Sequence, residues 1–182
     1  MLGETHGCIV ATPSLIGTDG LLGGGPVSGM LQCERIIMSV ISQLGYRFNI
    51  DRANIMITGF SGGGFPTYWV GLRHPDVFSV IVARNCNFNE GNVEGWVPAG
   101  SSKVAIKVYY GSNDPFPITT QSRAAVRYLR SKSYYVETEV LGGYGHQRQP
   151  EVAMAFFLKH RRPARPTIPS AKRAVARGAG GR

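Results

Sequence analysis

Residues 54–71 read Asn54-Ile-Met-Ile-Thr-Gly59-Phe-Ser61-Gly-Gly63-Gly-Phe-Pro-Thr-Tyr-Trp-Val-Gly71. Ile55, Met56 and Ile57 form a short apolar run of the kind a buried strand uses. The run ends in Gly59-Phe60-Ser61-Gly62-Gly63, a G-x-S-x-G match, and a helix is expected from about residue 63 to residue 73. A strand, a sharp turn and a helix form the context in which such a serine projects its hydroxyl from the carboxyl end of a sheet. Small residues two before and two after the serine keep neighbouring side chains from clashing there. Alone, the five residues read equally well as a glycine-rich connection between a strand and a helix, so the rest of the chain has to decide.

The chain has 182 residues, enough for one domain with a sizeable core; 43% are hydrophobic and 17% charged, which excludes a disordered polyelectrolyte. The formal net charge of +9 is unevenly spread. Eight of the 20 Lys and Arg residues lie from Lys159 onward, with no Asp or Glu among them. The preceding residues are close to neutral, with 12 basic against 11 acidic side chains, so a basic folded surface and a nucleic-acid partner are not implied. No apolar run approaches the roughly 20 residues of a membrane span, so no membrane partner is expected. The first residues lack the basic and apolar regions of an export signal, so a cytoplasmic location is expected if the start is genuine. Cys8, Cys33 and Cys86 are odd in number and scattered, with no C-x-x-C spacing, and suggest neither a disulfide framework nor a zinc site.

Outward from the central stretch, strands and helices are expected to alternate. Residues 7–12 read as a buried strand with Cys8 in the core. Residues 14–29 read as a flexible loop around Gly23-Gly24-Gly25, which lacks the G-K-[ST] ending of a phosphate-binding loop. Residues 30–44 carry Leu31, Ile36, Ile37, Val40, Ile41 and Leu44 at amphipathic spacing, with Gly45 at the expected helix end. Asp51 is a turn or capping residue. Residues 79–83 are the next strand. Residues 84–102 read as a long polar segment, either a lid or substrate-binding loop or an ordinary surface excursion. A strand over 104–110, a helix over 118–131, a strand over 134–141 and a helix opening at Pro150 complete the pattern. Residues 1–160 form the domain, and residues 161–182, rich in Ala, Pro, Gly and Arg, form a basic disordered tail.

This alternation predicts an α/β fold, a mostly parallel sheet with helices on both faces. Ser61, Asp114 and His146 each follow an expected strand closely and so converge on one edge of the sheet. Their order, Ser then Asp then His, is that of a nucleophile, acid and base. His146 takes the serine proton, Asp114 holds the imidazole in its tautomer, and the Gly62 N–H supplies an oxyanion donor. The chemistry needs no cofactor and no metal. His6, His74 and His160 are poorer bases by position, and Asp19 and Asp76 lie in loops that do not follow the later strands.

The runs Asn49-Ile50-Asp51 through Gly64, Leu72-Arg73-His74-Pro75-Asp76-Val77-Phe78, Gly111-Ser112-Asn113-Asp114 and Gly143-Tyr144-Gly145-His146 resemble the polyhydroxybutyrate depolymerase and feruloyl esterase-like branch of the α/β-hydrolases. Prolyl-oligopeptidase-like hydrolases share much of this pattern. The resemblance covers about residues 7–159. It implies hydrolysis of a small-molecule or polymeric carboxylic ester through an acyl-serine intermediate. It also implies strands before residue 7, one of them beside the serine strand and followed by a second oxyanion donor. Six residues cannot form them, and His6-Gly7 resembles the donor run without its strand. Three readings follow: a truncated start, a strand-supplying partner or homo-oligomer, and a degenerate hydrolase-like binding protein. A truncated start would leave secretion or a periplasmic location open.

Overall fold

The computed structural model describes residues 2–15, 27–98 and 104–163. Among them a four-stranded sheet runs β1 (Met56–Ser61), β2 (Val80–Cys86), β3 (Ala105–Gly111) and β4 (Val136–Leu141), in sequential order and parallel throughout. The helices are α1 (Leu2–Thr5), α2 (Val27–Arg47), α3 (Gly64–Arg73), α4 (Glu90–Val93), α5 (Phe116–Ser131) and α6 (Pro150–Lys159). Sequential order means that the chain never reverses its direction of travel across the sheet. Crossovers of one hand then lay their helices on one face. Accordingly, α2, α3 and α5 cover the face that carries Ile57, Ile81, Ala83, Ile106 and Val108. The other face, with Val80, Val82 and Tyr109, is covered by α6 through Ala153, Met154, Phe156 and Phe157. Helices on both faces of a parallel sheet are what the sequence predicts.

Most element boundaries fall within a few residues of expectation, and the differences have local causes. The expected helix stop at Gly45 is passed, and α2 continues to Arg47. The Arg52 guanidinium lies where a side chain at residue 45 would be, so this glycine makes room for a packed arginine. Asp51 is a turn residue as expected: its carboxylate accepts from the Ala53 N–H at 3.0 Å and the Asn54 side-chain amide at 2.7 Å. That amide also holds Arg162, donating to its carbonyl at 2.9 Å, while the Asn54 carbonyl oxygen accepts the Arg162 N–H at 2.7 Å.

The expected strand over residues 7–12 is not formed. The segment is irregular, Ile9 and Val10 are 53% and 67% exposed, and Cys8 is only half-buried. Among the described residues β1 is hydrogen-bonded to β2 alone, and nothing pairs with its other side. β1 is accordingly an edge strand among them. Residues 84–102 also differ from expectation. Arg84, Asn85 and Cys86 extend β2, Phe88 and Val93 are buried in the core, and α4 occupies the middle. The glycine run at 23–25 and nearly all of the basic tail lie outside the described residues.

α2 and α3 are joined by a polar contact that the apolar pattern did not predict. Glu34 lies on the stripe of α2 that turns inward with Met30, Ile37 and Ile41. Its carboxylate accepts from Trp69 Nε1 at 2.7 Å and Arg73 Nε at 3.0 Å, and it pairs with His74 Nε2 at 2.9 Å. Burial pushes the carboxyl up, but the hydrogen bonds from His74, Trp69 and Arg73 outweigh it and hold Glu34 below its ordinary value of 4.5. The ionised form therefore stabilises the fold above that value and stops doing so as the pH falls through the lower, folded one. Glu34→Gln is expected to lower stability by about 1–3 kcal/mol in urea titrations at about pH 7. Its deficit against wild type should narrow steadily as the buffer is taken below pH 4.5.

Candidate active site

The turn after β1 is a sterically forced one. Ser61 closes the strand with φ of 54°, in the left-handed region that costs a residue with a Cβ about 1–2 kcal/mol. The chain folds so tightly that a side chain at residue 59 would strike the Gly63 carbonyl and the Thr67 hydroxyl. The Gly63 N–H returns to the Phe60 carbonyl at 2.9 Å, and Thr67 Oγ1 donates to the Gly63 carbonyl at 2.8 Å. The glycine pattern around the serine thus has the steric reason expected of it. The Gly62 N–H makes no hydrogen bond to another described residue.

Asp114 and His146 are brought together by two interlaced loops. The Ser112 N–H donates to the Leu141 carbonyl at 2.9 Å, the Asn113 N–H to the Tyr144 carbonyl at 2.9 Å, and the Gly143 N–H to Ser112 Oγ at 2.9 Å. Gly111 allows this approach, because any Cβ there would collide with the Tyr144 carbonyl. The outcome is a 2.7 Å contact between His146 Nδ1 and Asp114 Oδ1. The Asp114 side chain is completely buried, while the imidazole keeps 31% of its surface exposed. Asp114 does not cap α5, whose N-cap is Pro115 with no side-chain bond. Its second oxygen accepts from the Gly111 N–H at 3.0 Å and from the Asn85 amide.

Phe60, the residue before Ser61, makes the contact with this pair. The Phe60 ring lies against the His146 imidazole with centroids 4.6 Å apart, and the Arg148 guanidinium sits 5.7 Å over the same ring. Among the described residues no hydrogen bond joins the Ser61 hydroxyl to His146. Of the other histidines, His74 is paired with Glu34 and His160 lies 3.5 Å from Glu137. A cleft lined by Arg52, Ile55, Asp76 and Val77 lies before β1 and β2 begin, at the opposite end of the sheet.

Two residues near the serine escape a reading of the sequence. Asn85 is buried between the acid and histidine loops, and a polar residue ending an apolar strand run was its only signal. Cys86 pairs with Ser61 in the ladder and is completely buried. Burial pushes its thiol up to about 12, against a smaller lowering by the backbone and charge of Arg84. A thiol held so far toward its neutral form is a poor nucleophile.

A model described as the prolyl oligopeptidase family matches residues 36–93, from α2 through the serine turn to α4. No curated protein sequence matches the chain. Among solved structures it is similar to Arabidopsis thaliana SOBER1, with a TM-score of 0.60 and 17% identity over 75% of this chain and 67% of that one. It is also similar to esterase PE8, with a TM-score of 0.61 and 19% identity over 74% of this chain and 63% of that one. A Bacillus cereus carboxylesterase gives a TM-score of 0.62 and 17% identity, over 77% and 66%. The fold is that of the α/β-hydrolases. The chain spans about two thirds of the length of these structures.

Two outcomes test the local geometry. Gly111→Ala should cost about 1–3 kcal/mol in urea unfolding, because the two loops cannot close around an added methyl. Iodoacetamide at about pH 8 should leave Cys86 unmodified in the folded chain and label it after unfolding, as read by peptide mass mapping.

Proposed function

We propose that this chain carries the catalytic site of a serine hydrolase that cleaves carboxylic esters through an acyl-serine intermediate. The observation that carries this reading is the buried Asp114 bonded to a half-exposed His146, beside a serine held in a left-handed turn. Asp114 engages Nδ1, so the imidazole proton sits there and Nε2 is the free base. Ser61 Oγ attacks the ester carbonyl carbon while its proton passes to His146 Nε2. The oxyanion that forms faces the Gly62 N–H. The carbon–oxygen bond to the alcohol then breaks, and His146 returns the proton to the departing oxygen. Water repeats the sequence on the acyl-serine and releases the acid.

Two of the similar structures are an esterase and a carboxylesterase, which supports an ester as substrate. The motif resemblance to polyhydroxybutyrate depolymerases and feruloyl esterases supports a polymeric or aryl ester within that class. The match to the prolyl oligopeptidase family supports a second reading, cleavage of a peptide bond by the same three residues. Among the described residues β1 is an edge strand, which supports a further strand in the active assembly, supplied by the same protein or by a partner.

Short-chain p-nitrophenyl esters and peptide p-nitroanilides separate the two substrates. Wild type should hydrolyse the esters faster, and a fluorophosphonate probe should label Ser61. Ser61→Ala should lose labelling and on the order of 10⁴-fold or more of the turnover. Equal ester hydrolysis by wild type and Ser61→Ala would overturn the assignment, and preference for the anilides would favour the peptidase.

A further inference from the structure

The ladder between β1 and β2 contains a slip. Phe60 pairs with Arg84, but Ser61 pairs with Cys86, so Asn85 is an extra residue with no partner on β1. Its φ is 49°, a left-handed value that asparagine tolerates better than most residues. Alternation along β2 assigns Ile81 and Ala83 to one face, and residue 85 would come next on that face. Cys86 takes that core position instead. The bulge therefore frees Asn85 from the face of the sheet, and bulges beside active sites characteristically re-aim a side chain in this way.

The freed side chain reaches both halves of the acid–base pair. Asn85 is 1% exposed. Its amide nitrogen donates to Asp114 Oδ2 and to the Gly145 carbonyl at 3.2 Å, the residue just before His146. Its carbonyl oxygen is buried without a protein partner among the described residues. An amide is well suited to this position: it brings two donors and no charge. A carboxylate would repel Asp114, and a hydroxyl has one proton for two acceptors. With Asn85 and the Gly111 N–H on Oδ2, the other oxygen of Asp114 is turned to the imidazole.

We infer that Asn85 is a positioning residue, which sets the Asp114 carboxylate and the His146 loop in register through one amide. The role in turnover rests on the hydrolase reading above; the role in orienting the imidazole does not. Asn85 acts through Asp114 and His146.

The test uses the full chain with Asn85→Ala, Asn85→Ser and the near-isosteric Asn85→Asp, checked for folding by circular dichroism. The low-field Nδ1–H proton resonance of His146 should be sharp in wild type. It should be broadened or lost in Asn85→Ala and partly kept in Asn85→Ser. On a p-nitrophenyl ester, Asn85→Ala should lower kcat about 10–100-fold with KM little changed. In Asn85→Asp two carboxylates must share the buried site, so the acid limb of the pH–kcat/KM profile should move to higher pH by about one unit. A folded Asn85→Ala or Asn85→Ser with an unchanged His146 resonance would overturn the inference. An unchanged kcat together with an unmoved limb in Asn85→Asp would do so as well. If wild type shows no Ser61-dependent turnover, the hydrolase reading fails, and the His146 resonance still decides whether Asn85 orients the imidazole.

Discussion

A carboxylate with no exposed surface is tolerable only if its oxygens are occupied, because an isolated buried ion is among the most costly things a fold can contain. Asp114 is in that position, and much of the surrounding architecture reads as an answer to it. One oxygen is taken by His146 and the other by Gly111 and Asn85. Each partner comes from a different part of the chain. Gly111 ends β3, Asn85 leaves the ladder of β2, and His146 follows β4. The buried charge therefore ties the ends of three adjacent strands together, at the side of the sheet where Ser61 leaves the fourth.

The sheet makes that convergence possible. In a parallel sheet every strand delivers its following loop to the same end, and sequential order makes successive loops neighbours. The helices beneath hold the strands in register through large buried side chains, Trp69 and Tyr68 from α3 and Leu129 from α5 among them. The same α3 that starts behind the serine is fastened at its far end to α2 through Glu34.

The local features were the legible ones. The glycine spacing around Ser61 encodes a steric requirement of a few consecutive residues, and the alternation of apolar runs with amphipathic segments encodes one element at a time. Both could be read without knowing any partner. Residues 7–12 were misread because a strand exists only by pairing, and an apolar run says nothing about whether a neighbour is there. Gly45 was misread because its role depends on Arg52 lying over it. Residues 84–102 looked polar enough for a loop, yet Phe88 and Val93 anchor them in the core. Asn85 left only a faint trace for a related reason: its placement arises from a one-residue slip against β1, which no property of β2 alone foretells.

The side chain of Asn54 grips the main chain of Arg162 with both its oxygen and its nitrogen. Asn54 precedes β1, whereas Ser61 ends it, so the grip lies at the pole of the sheet remote from the serine. Arg162 is thus anchored at the end of the sheet opposite Ser61. A tether attached there, to a resin or to a charged surface, would hold the molecule with the Ser61 end of the sheet facing outward.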